Sequence, residues 1–167
     1  HSGERVAVLE VGRERVDVVS LHHPVGARRD IDRQILDVHD VAAAAEVFAT
    51  LVGQGKIRYW GMNAVGDTAS VHKTLEAVHP FAVQAVYNLL NPSGAIHVPA
   101  GFPFQDYQGV MHAAAEHGIG VFAIRVLAGG ALTGTAARHP NASPPPTPMA
   151  TSRTYTDDLE RAQAFRF

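Results

Sequence analysis

The chain has 167 residues, 46% of them hydrophobic and 18% charged, with a formal net charge of -2 and no cysteine. That balance suits a globular domain with a real core and excludes a disordered chain, disulfides and thiolate metal sites. It gives no electrostatic reason to expect nucleic acid or an anionic membrane as partner; without a bilayer-length apolar run or a secretory start, a cytoplasmic location is the default.

The opening His1-Ser2-Gly3-Glu4 does not look like a natural start, and the chain reads as beginning partway through a longer sequence. Residues 6–11 are apolar without strict alternation and read as the tail of a helix. Asp17-Val18-Val19-Ser20-Leu21 is a near-continuous apolar strand, as in a parallel sheet covered by helices, and it stops in His22-His23. Asp40 is the expected N-cap of an alanine-rich helix over 41–52, ended by Gly53 and Gly55. A strand over 57–62 follows. Asp67-Thr68 then caps a helix to about Val78, which His79-Pro80 stops. Next come a strand over 82–87, a long loop over 91–105, a helix over 106–117 stopped by Gly118, and a strand over 121–126. Leu127-Ala128-Gly129-Gly130-Ala131-Leu132-Thr133-Gly134 is a glycine-rich turn, 135–156 a flexible proline-rich segment, and Asp157 the start of a last capped helix.

Alternating strands and helices predict an α/β fold with a parallel sheet. A doubly wound sheet would place Gly-x-Gly-x-x-Gly after an early strand, and none is there. The glycines follow the last strand instead, and all four strands end in or beside polar groups. Both facts favour the (β/α)8 TIM-barrel type, whose chemistry sits at the carboxyl ends of the strands. About four parallel strands with flanking helices make a partial barrel, read as a single domain over residues 1–167.

Ordinary readings stand beside the functional ones. His22 and His23 can simply satisfy backbone at a strand end, and Asn63 and Gln84 can bond the barrel's own backbone. Gly129-Gly130 alone is a tight turn, Arg125 can pair with a helix-borne carboxylate, and Tyr59 and Trp60 suit a core. The chain has ten histidines but no pair of them at i,i+4 spacing beside a carboxylate, so no metal site is expected.

Four segments in series carry a family likeness. Asp17-Val18-Val19-Ser20-Leu21-His22 resembles the fourth barrel strand of the aldo-keto reductases. Gly55-Lys56-Ile57-Arg58-Tyr59-Trp60-Gly61-Met62-Asn63 resembles the fifth, and Val83-Gln84-Ala85-Val86-Tyr87-Asn88-Leu89-Leu90-Asn91 the sixth. The stretch from Gly118-Ile119-Gly120-Val121 through Gly130-Ala131-Leu132-Thr133-Gly134 is similar to the seventh strand and its phosphate loop. The resemblance implies a nicotinamide cofactor, NADPH or NADH, and hydride transfer to a small-molecule aldehyde or ketone. It implies His22 as the residue that orients the carbonyl oxygen. Strand alternation favours His22 over His23, because Val18, Ser20 and His22 share a face. Asn63 and Gln84 would hold the nicotinamide carboxamide. Leu127, Ala128, Gly129, Gly130 and Ala131 would wrap the pyrophosphate with backbone N–H groups, and Arg125 would face a phosphate or the substrate.

There are departures. The family usually has Ser-Asn where Asn63-Ala64 stands here, and Ile124 replaces an aromatic residue that stacks on the nicotinamide in many members. The catalytic aspartate, tyrosine and lysine of the resemblance fall on strands before residue 1. One alternative is therefore a non-catalytic half-barrel that binds a cofactor or a partner, its open edges covered by a second copy or a missing half. Another is a different barrel enzyme that uses the glycine-rich turn for a phosphorylated substrate.

Overall fold

A computed structural model describes residues 7–11, 14–20, 38–145 and 147–165. The elements are β1 (Ala7–Val11), β2 (Glu14–Ser20), α1 (Val38–Gly53), β3 (Tyr59–Asn63), α2 (Thr68–Val78), β4 (Ala82–Val86), α3 (Val110–Glu116), β5 (Gly120–Ile124), a 3-10 turn (Ala128–Thr133), α4 (Tyr155–Ala162) and a last 3-10 turn (Gln163–Phe165). The strands form one sheet in the order β1-β2-β3-β4-β5. β2, β3 and β4 are parallel, with Val18 opposite Tyr59 and Asn63 opposite Gln84. β5 lies beside β4: the Gly120 N–H donates to the Phe81 carbonyl at 2.9 Å, and the Tyr87 N–H to that of Ile124 at 3.2 Å. By contacts the chain divides into two compact units, His1–Gln84 with Ala113–Phe122, and Ala85–His112 with Ala123–Phe167.

In the first unit β3 is covered along its middle and β4 at Ala82 and Val83, as a parallel strand between layers requires. Trp60 and Met62 point to one face, where Trp60 stacks on Phe48 of α1 with ring centroids 5.3 Å apart. α1 and α2 pack on each other, burying Val41, Phe48, Val71 and Leu75. Both helices that end in glycine do so with the same pair of bonds. The Gly55 and Lys56 N–H groups reach the Val52 and Leu51 carbonyls, and the Gly118 and Ile119 N–H groups reach those of Ala115 and Ala114. The glycines take φ of +66° and +69°, a left-handed conformation that costs a residue with a Cβ about 1 kcal/mol.

Several boundaries differ from the sequence expectation, each for a local reason. Residues 7–11, expected as the tail of a helix, form β1, antiparallel to β2 with Ala7 opposite Val18. Their β-branched valines suit a strand, and the partner that supplies the hydrogen bonds is invisible to periodicity. α1 begins at Val38, so Asp40 lies within its first turn rather than just ahead of it. α3 begins at Val110 rather than at 106. The Asp106 carboxylate accepts from the Gln108 N–H at 2.8 Å, and Gln108 and Gly109 adopt positive φ, so a turn replaces the first helical residues. α4 is capped by Thr154, with Asp157 as the reciprocal member of a capping box rather than the cap itself. The expected cap of α2 is as observed: Asp67 accepts from the Ser70 N–H at 2.8 Å, and His79 closes the helix at φ +44°.

The second unit is organised by buried polar groups as much as by apolar ones. Leu90, Ala128, Ala131 and Ala162 form a small core with Leu132, Tyr155 and Leu159 packed against it. Around it Asp158, 1% exposed, accepts from the Thr151 hydroxyl at 2.7 Å and the Ser152 hydroxyl at 2.6 Å. Arg161 donates to the Thr151 and Leu90 carbonyls at 2.6 and 2.9 Å and lies 4.1 Å over the Phe104 ring. Burial holds this guanidinium below its ordinary pKa, with Asp158 acting the other way. Residues 139–145 are exposed, whereas Thr151 is buried.

Candidate cofactor-binding site

Asn63 closes β3 and Gln84 stands opposite it on β4. Register partners in adjacent strands project from the same face. That face is the one turned away from α1, because Trp60 and Met62, of the other parity, meet the helix side. Two amide side chains therefore stand together, one at the carboxyl end of β3 and the other in the middle of the neighbouring parallel β4. The Ala64 N–H donates to the Gln84 carbonyl at 2.9 Å, which continues the ladder past the end of β3. The Asn63 Oδ1 is buried, and among the described residues nothing donates to it. A buried acceptor left unanswered costs about 1–3 kcal/mol, so an external donor at this point has a physical reason to bind.

In the second unit β5 gives way to a turn of unusual backbone. Arg125 and Ala128 have φ of +59° and +47°, and Gly129, Gly130 and Gly134 are also positive. Non-glycine residues in this region cost about 1 kcal/mol each and persist only where their surroundings impose them. Here Asn88 imposes the conformation. Its Nδ2 donates to the Arg125 carbonyl at 3.0 Å, while its Oδ1 accepts from the N–H groups of Leu90 and Asn91. The Arg125 carbonyl also accepts from the Ala128 N–H, and the Leu127 carbonyl from those of Gly130 and Leu132. The result is a tight, small-residue turn with Ala128 and Ala131 buried, Leu127 exposed, and Arg125, Gly129 and Gly130 partly open.

Of the expected site residues, Asn63 and Gln84 meet in the first unit, and Arg125, Leu127, Ala128, Gly129, Gly130 and Ala131 form the turn in the second. His22 lies outside the described residues. Ile124 ends β5. Two residues that sequence reasoning left without a role hold this region together. Asn88 fixes the turn as described. Asn91, fully buried, donates to the Gln105 and Ala150 carbonyls and accepts from the N–H and hydroxyl of Ser93. The available signal was the pair of turn-forming asparagines in Asn88-Leu89-Leu90-Asn91-Pro92, since such side chains bond backbone a few residues on.

The sequence model of the aldo/keto reductase family matches residues 7–166, nearly the whole chain. The chain belongs to the aldo/keto reductase family. No curated protein and no solved structure matches it. Aldo/keto reductases are (β/α)8 barrels that reduce carbonyl compounds with NAD(P)H, and β2, β3 and β4 with α1 and α2 are strand and helix units of that architecture, a partial barrel. The match begins with β1, so the strand expected as a helix is part of the family region. The implied cofactor suits what is present. An unanswered amide oxygen beside a second amide matches a carboxamide, which both donates and accepts. A turn of glycine and alanine in left-handed conformation matches an approaching phosphate. Among the described residues no helix is long and apolar enough to cross a membrane.

Proposed function

We propose that this chain carries the nicotinamide-binding and carbonyl-orienting residues of an NADPH-dependent reductase of small aldehydes or ketones. The buried, unanswered Oδ1 of Asn63, in register with Gln84, carries the reading. Asn63 accepts from the carboxamide N–H and Gln84 donates to its oxygen, which sets the face of the ring that meets substrate. The backbone of Leu127, Ala128, Gly129, Gly130 and Ala131 receives the pyrophosphate, and Arg125 adds positive charge to the same turn. His22 donates to the substrate carbonyl oxygen, which gains negative charge during reduction. The bound reduced nicotinamide supplies the hydride.

A calorimetric titration with NADPH and with NADH, run beside an aldehyde-turnover assay, tests this. Saturable binding that Asn63→Ala weakens supports it; no binding by the wild-type chain at millimolar cofactor overturns it. A second reading, binding without turnover, draws on β5. This strand ends the sheet order and leaves Phe122 43% exposed, which suits a surface that needs a covering partner. Binding with no turnover would favour that reading.

A further inference from the structure

Two histidines meet at the amino end of the sheet in the first unit. His79 closes α2 and His117 follows α3, and each lies just ahead of a strand, β4 and β5. The ladder brings them together: the Gly120 N–H donates to the Phe81 carbonyl at 2.9 Å, so the two strands start side by side. The imidazole rings have centres 5.0 Å apart and planes at 81°. Both residues belong to the first unit and both are exposed. Among the described residues neither ring has a hydrogen-bond partner, which leaves its nitrogens to solvent or to an ion.

The backbone at both positions is anchored. The His79 N–H donates to the Leu75 carbonyl at 3.4 Å at a φ of +44°, and Pro80 behind it is buried. The His117 N–H donates to the Ala113 and Ala114 carbonyls at 3.3 and 3.2 Å, and Gly118 then turns the chain. A ligand bound by both rings therefore costs little backbone ordering.

The surroundings favour positive charge. The carboxyl end of a helix carries up to about half a negative charge, and here two such ends meet. Neither α2 nor α3 has a Lys or Arg in its last turn, whereas Glu76 and Glu116 lie there. Two imidazolium ions this close would repel each other, so protonation answers only one helix end at a time. One divalent ion shared by two neutral rings answers both. Imidazoles that share a tetrahedral ion, each nitrogen about 2.0–2.1 Å from it, have ring centres about 5 Å apart. That is the separation observed.

We propose that His79 and His117 form a two-histidine site for a borderline divalent cation such as Zn²⁺ or Ni²⁺, with water completing its coordination. Among the described residues no group of three or more candidate ligands could hold a metal ion, so the protein supplies two ligands only. The site shares no residue with the amide pair or the glycine-rich turn. Its role is a clip between the ends of α2 and α3, which no i,i+4 spacing in the sequence announces.

The untagged 167-residue chain is titrated calorimetrically with Zn²⁺, Ni²⁺ and Mg²⁺, beside His79→Asn, His117→Gln and, because the chain has ten histidines, the control His97→Gln. Asn suits the left-handed conformation at residue 79, so that variant removes the imidazole without straining the turn. Wild type is expected to bind one Zn²⁺ or Ni²⁺ saturably and to ignore Mg²⁺, which prefers oxygen ligands. His79→Asn and His117→Gln are each expected to lose roughly tenfold or more in affinity, and His97→Gln nothing. Zn²⁺ should raise the melting temperature of wild type and not of the two site variants. Wild-type binding that either site variant leaves unchanged overturns the proposal, as does no Zn²⁺ or Ni²⁺ binding at millimolar metal. A loss in His97→Gln equal to that in the site variants means adventitious binding spread over surface histidines, and overturns it too. Melting of each variant without metal separates a lost ligand from a lost fold.

Discussion

The amide pair formed by the last residue of β3 and the middle residue of β4 and the glycine-rich turn after β5 solve opposite problems. The pair stands on a covered parallel sheet and leaves a buried oxygen to which none of the described residues donates. Around the turn the buried polar side chains of Asn88, Asn91, Ser93 and Asp158 are all bonded within the second unit. A sheet built on regular ladders holds its shape while tolerating one unmet polar atom. A turn with two non-glycine residues at positive φ keeps its shape only through side-chain bonds from distant chain segments. The first region therefore rests on backbone ladders, and the second on side-chain bonds.

The largest expected effect comes from breaking the second region. Asp158→Ala removes the acceptor of two hydroxyls and leaves the half-buried Arg161 without its carboxylate, 4.0 Å away. Chemical denaturation should show a loss of about 3 kcal/mol, and no loss would mean that the network is decorative.

Next in size is an alkaline effect at Tyr107, which lies in the same unit, 1% exposed, with burial pushing its hydroxyl up to about 12. A group whose folded pKa is raised stabilises fully below its unfolded value, near 10, and loses that contribution as pH rises toward 12. Unfolding from pH 9 to 12 should show about 2 kcal/mol of decline that Tyr107→Phe lacks. Parallel curves for the two proteins would refute this.

In the first region the sign reverses. Asn63→Ala removes an unsatisfied acceptor and should change stability by no more than about 0.5 kcal/mol, or raise it, while weakening NADPH about tenfold. A large loss of stability with unchanged binding would show that Asn63 is bonded in the protein after all.

The smallest effect concerns the α2 cap. Asp67 is held below its ordinary pKa by the Ser70 hydroxyl and backbone N–H, so its contribution is present at neutral pH and fades as pH falls through that lowered value, below 3.8. Asp67→Ala should flatten this acid limb of the melting curve, and an unchanged limb would remove the cap from the account.

What could be read from the residues was local or periodic. The α2 boundaries follow from Asp67 and from His79-Pro80, signals within a turn of the helix ends, and the parallel sheet follows from the alternation of strand and helix. Asn63 and Gln84 could be named from the family likeness, because each closes or interrupts an apolar strand. That they are register partners was decided by how β3 and β4 pair, which no single strand shows. Capping and turn residues were legible in kind but misplaced by a few positions, since Asp at 106 and 157 serves a turn or a capping box as well as a first cap. The bonds from Asn88 to Arg125, from Asn91 to Ala150, and from Arg138 to Gly129 and Tyr155 join residues 9 to 59 positions apart. No local propensity encodes such bonds, because the benefit of meeting arises only once the chain has closed the intervening loops.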